Sequence, residues 1–345
     1  MTSPFPLSGR GHVRWRTALP DRHVVGVSVA VNGMCFVATG SGVLALDGPE
    51  PRWSADTAAY WGCLLLGDDL LVTGGADGFV VREQRTGEVV GAIEAGPTSA
   101  PVSLGGLLVF QAGRVLRATT VTGEAHWEVE VPALHPPLVR HDTVVVAEDA
   151  AVRAFRSDGG PLWSVELPGE VDGSLVGLPG GDVLVPVLGD DHIGFLVVDP
   201  RGGVRAVPAH LPPGDLVVPV PGTDLLVLPG WPEPDDLGEP RSTVVVVDSG
   251  TGVVVRHHRV PAAAHGIVVG ANGLVAVAGS PTWDRWAKYH GWPGYDLGDD
   301  CYVLFLDENG PRGEWKANAP ITGPLAVAAN SDLLVPVSGE LVSLG

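Results

Sequence analysis

Short apolar runs of strand length, broken by turns rich in Gly, Pro and Asp, recur along the whole chain. The stretch Gly42-Val-Leu-Ala-Leu-Asp-Gly-Pro-Glu-Pro-Arg-Trp53-Ser-Ala-Asp56 shows the unit: an apolar strand, a Gly/Pro turn, and a second strand opening on Trp53. Altered copies lie at 42–56, 78–93, 113–131, 150–167, 194–209, 243–260 and 301–317, with turns such as Arg85-Thr-Gly87, Asp158-Gly-Gly160 and Asp248-Ser-Gly-Thr-Gly252. Two more strand-length runs precede each hairpin, for example Gly62-Cys-Leu-Leu-Leu66 and Leu70-Leu-Val-Thr73, split by Gly67-Asp-Asp69. A hairpin of this kind has an apolar face that it cannot bury alone, so copies must stack around a shared core.

Four strands per unit predict the blades of a β-propeller. Seven hairpins are complete, and each end of the chain carries half of another. Gly339-Glu-Leu-Val-Ser-Leu-Gly345 is a third strand without a fourth; Gly11-His-Val-Arg-Trp-Arg-Thr-Ala18 is a fourth strand without a partner. Joining them completes an eighth blade and removes two open sheet edges. The expected fold is all-β: one propeller domain over 1–345 with eight four-stranded antiparallel blades, in which 11–18 and 320–345 form the closing blade.

Composition sharpens this picture. The 48 Gly and 31 Pro, with no long stretch of 3.6-residue periodicity, leave almost no room for helix. A length of 345 residues suggests two domains, and the internal repeat overrides that prior. The formal charge of −19 repels phosphate backbones and anionic lipid, which argues against nucleic-acid and membrane-surface partners. Met1 to Arg10 lacks a basic region followed by an apolar one, and no segment reaches 18 uninterrupted apolar residues, so a cytoplasmic location is expected. Cys35, Cys63 and Cys301 are far apart in sequence and read as reduced cysteines in apolar strands. A closed ring asks for no partner strand, so a monomer is expected.

The pattern Gly-x-(Val/Leu)-x-Ala-(Leu/Phe)-Asp-x-x-(Thr-)Gly-x-x-x-Trp runs from Gly42 to Trp53, from Ala150 to Trp163 and, more loosely, from Gly113 to Trp127. It resembles the repeat of the pyrroloquinoline-quinone-like propellers, a superfamily that includes quinoprotein alcohol dehydrogenases and the outer-membrane assembly lipoprotein. The resemblance implies the eight-bladed fold. It implies little about activity, since one fold hosts many functions. Quinoprotein dehydrogenases of this type set two adjacent cysteines against the quinone, and this chain has no adjacent cysteines; the lipoprotein's lipid-bearing N-terminal Cys is missing too. No cofactor is expected.

Trp15, Trp53, Trp127, Trp163 and Trp315 occupy the repeat position on fourth strands, where they are expected to pack between blades. The other five are Trp61, Trp231, Trp283, Trp286 and Trp292. Connections between second and third strands lengthen in three consecutive copies, at Gly189 to His192, Gly230 to Ser242 and Gly279 to Asp300. The longest, 279–300, reads as a lid-like insertion and brings Trp283, Trp286, Tyr289, His290, Trp292 and Tyr295 together with Asp284, Arg285 and Lys288. Loops of this length in a compact domain are usually functional or disordered, and aromatic content argues for a packed one. Its aromatics serve either as glue to the blade tops or as the wall of a ligand pocket.

Aligning the innermost strands on a shared small residue (Gly26, Gly62, Ala100, Pro136, Gly173, Gly214, Gly266, Gly323) places Val25, Trp61, Ser99, His135, Asp172, Pro213, His265 and Thr322 around one mouth of the ring. His135 and Asp172 fall on neighbouring blades, and an imidazole beside a carboxylate suits acid–base work near neutrality. Two His and one Asp could also ligate a divalent metal, and polar residues could line the mouth simply because water fills it. No metal site is assigned. His257-His258 reads as an exposed edge of a fourth strand, and Asp68-Asp69, Asp235-Asp236 and Asp299-Asp300 as turn formers. There is no G-x-S-x-G, H-E-x-x-H, P-loop or G-x-G-x-x-G.

The expected function is capture of a small organic molecule on the insertion-bearing face, with Tyr60, Trp61, Ser99, Trp231, Thr322 and the lid aromatics as walls. In catalytic form it would be a cofactor-independent cyclase, lyase or isomerase of a biosynthetic pathway, using His135, Asp172 and His265. The alternative is a non-catalytic platform on which the same aromatics engage a protein partner; a degenerate quinoprotein ranks third.

Overall fold

The computed structural model describes residues 2–21, 23–133, 135–189, 193–207, 216–230, 233–234, 240–241, 243–260, 263–280 and 301–345. It is all-β, an eight-bladed β-propeller fold of antiparallel blades. Residues 25–215 form one compact unit and residues 1–24 with 216–345 another.

The first unit carries blades 1 to 5, blade 1 beginning one residue earlier at Val24. Blade 1 runs Val24–Val29, Met34–Thr39, Val43–Asp47, Glu50–Ala55; blade 2 runs Cys63–Leu66, Leu70–Gly75, Gly78–Glu83, Val89–Glu94. Blade 3 runs Val102–Leu104, Leu107–Ala112, Val115–Thr119, Ala125–Glu130, and blade 4 Leu138–Arg140, Thr143–Ala147, Ala151–Arg156, Pro161–Glu166. Blade 5 departs from the expected pattern: its first strand is split into Glu170–Val171 and Val176–Gly177, both paired with Val183–Leu188, before Ile193–Val198 and Val204–Ala206. A single 3₁₀ turn, Pro179–Gly181, follows the split.

Hydropathy within a blade tracks burial. Met34–Thr39 is buried at every position, as a strand covered on both faces must be, and it reads as a continuous apolar run. Pro161–Glu166 alternates between exposed and half-buried residues, as a strand with one wet face must. The first strands crowd: a Cβ on Gly26 would lie 3.2 Å from the Cα of Gly62 on the next blade, which explains the shared small residue. Third and fourth strands share a register shift at one place, between Ala45/Leu46, Val81/Arg82, Ala118/Thr119 and Ala154/Phe155. Such a bulge adds twist just before the turn.

The repeat tryptophan uses that turn. The Trp53 indole donates to the Gln84 carbonyl of blade 2 at 2.8 Å, Trp127 to Ser157 of blade 4 at 2.7 Å, and Trp163 to Pro200 of blade 5 at 3.0 Å. Each ring lies on a turn glycine with positive φ: Gly87 (+76°), Gly159 (+82°) and Gly202 (+86°). A Cβ there would come within 2.7–2.9 Å of the ring at Gly87 and Gly159. The turn is therefore both bent and flat because the residue is glycine.

The second unit carries blades 6 to 8. Blade 6 runs Val218–Pro219, Leu225–Pro229, Thr243–Asp248, Val254–Arg259, with a two-stranded ribbon, Glu233–Pro234 and Pro240–Arg241, between its second and third strands. Blade 7 runs Ala263–Val269, Val275–Ser280, Cys301–Asp307, Gly310–Ala317. Blade 8 takes Ala326–Val327, Leu333–Val337 and Glu340–Leu344 from the C-terminal end and Val13–Ala18 from the N-terminal end. The closing pair runs from Val13↔Leu344 to Ala18↔Glu340, is extended by two backbone bonds between His12 and Gly345, and carries an Arg16–Glu340 ion pair at 2.8 Å. Ahead of it, the N-terminal segment straps blade 7. Ser3 donates to the Val269 carbonyl, Ala271 donates to that of Phe5, and the Asn272 side chain grips both backbone groups of Leu7 at 3.0 Å each. Leu7 is buried in the core of blades 7 and 8.

Candidate functional site

The residues singled out ahead of the first strands sit where the chain leaves one blade's edge and enters the next. In the first unit Trp61 precedes Cys63–Leu66; its amide donates to Gly74 O and its indole to Gly75 O, both at 3.3 Å. Tyr60 is 56 % exposed, and its ring lies over Gly75, where a Cβ would come within 3.1 Å of it. The two aromatics thus lean on one glycine, Trp61 half-buried against Leu64, Leu66 and Val72, and Tyr60 open to solvent.

His135 and Asp172 do come from neighbouring blades. The His135 Nε2 atom lies 3.2 Å from the Val171 carbonyl, one residue ahead of Asp172. The imidazole is therefore oriented by a peptide oxygen, and among the described residues no ion pair joins it to the exposed Asp172 carboxylate. The Asp172 amide donates to Pro186 O at 3.1 Å, holding this residue in the break of blade 5's first strand.

Ser99 is turned in rather than out, at 4 % exposed. Its Oγ accepts the Gln111 amide at 3.0 Å and donates to Ala100 O at 3.1 Å. Gln111 itself, which sequence reasoning passed over, is buried and donates through Nε2 to the carbonyls of Gly113 and Val131. A polar residue in an otherwise apolar second strand was the signal for this tie between consecutive segments.

In the second unit His265 occupies the register shift between Ala264 and Gly266 and is half-buried. Thr322 donates its amide to Pro336 O at 3.0 Å, and its enclosed hydroxyl has no hydrogen-bond partner among the described residues. Blade 7's second strand ends at Ser280 and its third resumes at Cys301; Tyr302, beside that junction, is buried with its ring against Gly279. Trp231, Trp283, Trp286, Tyr289, His290, Trp292 and Tyr295 lie outside the described residues, as does Pro213.

Among the described residues no group of three or more His, Cys, Asp or Glu is placed to hold a metal ion. Burial pushes the Cys35 thiol up to about 12, and burial with the neighbouring Cys35 pushes Cys63 up further, so both are inert thiols rather than nucleophiles. Two described cavities lie between blades. A small one of about 30 Å³, room for about one water, is lined by Val220, Val246, Arg256, His258 and Asp307 among others. The sequence placed His258 on an exposed edge; only His257 is exposed, and His258 is half-buried with its pKa lowered, mainly by desolvation and then by Arg256. The strand's alternation, which sends every second side chain back toward the sheet's neighbour, accounts for the difference. The second cavity, about 300 Å³, opens between blades 2 and 3.

No family model matches the chain, and no curated protein matches it. Solved structures do match over nearly its whole length. The chain is similar to BamB from Moraxella catarrhalis at 14% identity and TM-score 0.65, over 96% of this chain and 99% of that one. It is similar to the computationally designed Ika8 protein at 14% identity and TM-score 0.70, over 95% and 98%. It is similar to the quinohemoprotein alcohol dehydrogenase from Comamonas testosteroni at 12% identity and TM-score 0.67, over 96% of this chain and 76% of that one. At such identities the likeness is one of fold. Among the described residues no helix is long and apolar enough to cross a membrane.

Proposed function

We propose that this chain is a cytoplasmic binding propeller that takes a small organic molecule at the starts of its first strands. The observation that supports this best is the pairing of Tyr60 and Trp61 over Gly75, with His135 and Asp172 presented at the corresponding places of blades 4 and 5. A flat aromatic wall with a few convergent polar groups is the usual make-up of a small-molecule site. In the catalytic form of the proposal, a cyclase, lyase or isomerase, His135 or His265 would move the proton. The lack of a quinone-type cysteine pair in the sequence leaves this reading without an organic cofactor.

A second reading has its own support. Tyr60 is exposed as a protein-docking aromatic would be, and the fold is compatible with an interaction platform. The test is thermal melting and tryptophan quenching against a panel of small hydrophobic metabolites, using the native protein, Trp61→Leu and a variant with 281–300 replaced by a Gly/Ser turn. A ligand-dependent rise in melting temperature that both variants lose supports the pocket. No response to any ligand sinks it and moves the weight to a protein partner, sought with the same proteins by affinity capture.

A further inference from the structure

The groove between blades 2 and 3 is the one place in the first unit where the blade-to-blade packing rule is broken on both sides. On the fourth strand, the position opposite Ala45, Ala118 and Ala154 holds Trp53, Trp127 and Trp163; opposite Val81 of blade 2 it holds Gly91. In two of these three interfaces, the next blade's third strand faces that position with a bulky residue just after the bulge. Phe155 packs with Trp127, and Arg82 reaches Gly87 O and Thr57 Oγ1 at 2.9 Å each beside Trp53. Blade 3 has Thr119 there. A missing indole and a missing large side chain therefore meet in the same interface, and a cavity of about 300 Å³ opens beside them, with Thr119 but not Gly91 in its lining.

The turn has moved in only part way. A Cβ on Gly91 would collide with the Val121 carbonyl, so the innermost part of the vacated volume is filled by backbone. The rest remains open, lined by Ala92, Ile93, Ala95, Gly123 and Ala125 on its apolar side and by Glu94, Thr119, Thr122, Arg117 and Glu128 on its polar side. Thr119 is 2 % exposed and its Oγ1 has no hydrogen-bond partner among the described residues. A buried hydroxyl without a partner costs stability unless something bonds to it. Arg117 is held by Glu128 at 2.8 Å and Glu94 brings a second carboxylate to the lining, so the groove offers donors and acceptors with an acidic balance.

We propose that this groove is a binding site for a small uncharged polyol or monosaccharide. The alanine and isoleucine side would take the ligand's C–H face, Thr119 would exchange a hydrogen bond with one hydroxyl, and the Arg117–Glu128 pair would bind two more. An anion finds no unpaired cation here. The size falls at the lower end for ligand pockets, which suits a single six-carbon unit.

The experiment is saturation-transfer NMR and calorimetric titration of the native protein with myo-inositol, D-glucose and glycerol, repeated with Thr119→Phe and Thr119→Val. Thr119→Phe restores the residue found at this position in blade 4 and fills the groove; Thr119→Val keeps the volume and removes only the hydroxyl. Expected are binding by at least one probe with Kd of about 1 mM, loss of about tenfold or more in Thr119→Phe, and about fivefold weakening in Thr119→Val. No binding by any of the three at about 100 mM overturns the proposal, and so does binding that Thr119→Phe and Thr119→Val leave unchanged. Should Thr119→Phe fail to fold, Thr119→Val decides alone. Thr119 does not belong to the Tyr60–Trp61 site, so the outcome is independent of the function proposed above.

Discussion

Replacing Gly87 with alanine tests how the blades are keyed together. Gly87 has φ +76°, and a non-glycine residue in that region costs about 1–2 kcal/mol from backbone sterics alone. The new Cβ would also meet the Trp53 ring at 2.7 Å, well inside van der Waals contact. Relieving that overlap means tilting the indole, lengthening its 2.8 Å bond to Gln84 O, or shifting the turn, an overpacking cost of about 1–3 kcal/mol. G87A alone should therefore lose about 2–5 kcal/mol. Trp53→Ala alone should lose about 2–3 kcal/mol, below the range for a fully buried tryptophan because Trp53 is half-buried. In the double variant the ring is gone, so only the backbone cost of the alanine remains. The two losses should then fall short of additivity by about 1–3 kcal/mol. Urea denaturation of the four proteins, followed by circular dichroism and compared at equal m-values, measures this coupling. Additivity within about 0.5 kcal/mol would refute the argument that the ring rests on the glycine.

Two further outcomes are expected. Asn272→Ala removes both side-chain bonds to Leu7, so it should cost about 2 kcal/mol and open residues 2–10 to limited proteolysis while blade 7 stays folded; unchanged protection of that segment would count against the strap. His258 has a lowered folded pKa, so the unfolded chain binds more protons below the ordinary histidine value. Stability contributed by neutral His258 is present above about pH 6.5 and lost as the pH falls from there through the lowered folded pKa. His258→Gln should flatten the stability change between about pH 7 and pH 5, and an unaltered slope in urea titrations would exclude His258 as a contributor.

The blades were legible because each one repeats the same conflict, an apolar strand pair with a turn and an aromatic that must find cover elsewhere. The two half-hairpins at the ends named their own partner, and Val13–Ala18 pairs with Glu340–Leu344 as the leftover pattern required. At one pair of the shared small positions the reason for a small residue is visible, since Gly26 and Gly62 meet nearly backbone to backbone. What sits beside that residue was harder. Ser99 faces inward because Gln111, far along the chain, offers it an amide, and nothing local to Ser99 announces that. His135 faces a carbonyl rather than the Asp172 carboxylate because blade 5's first strand breaks after Val171, a break that no turn residue in the sequence signalled uniquely. The groove between blades 2 and 3 was invisible for a related reason. Gly91 reads as an ordinary strand glycine and Thr119 as an ordinary strand threonine, and only their meeting across an interface makes a space.

The strand pairing of blade 8 also sets a timetable for synthesis. Val13–Ala18 is made well ahead of its partner Glu340–Leu344, so at about 5–20 residues per second the early strand waits roughly 16–65 s with its edge unpaired. During that wait it is the part of the nascent chain most able to pair with the wrong edge, including that of another chain on the same messenger. Its own composition guards it: Arg14 and Arg16 alternate with Val13, Trp15 and Thr17, so one face of the waiting strand carries two positive charges until Glu340 arrives to meet Arg16.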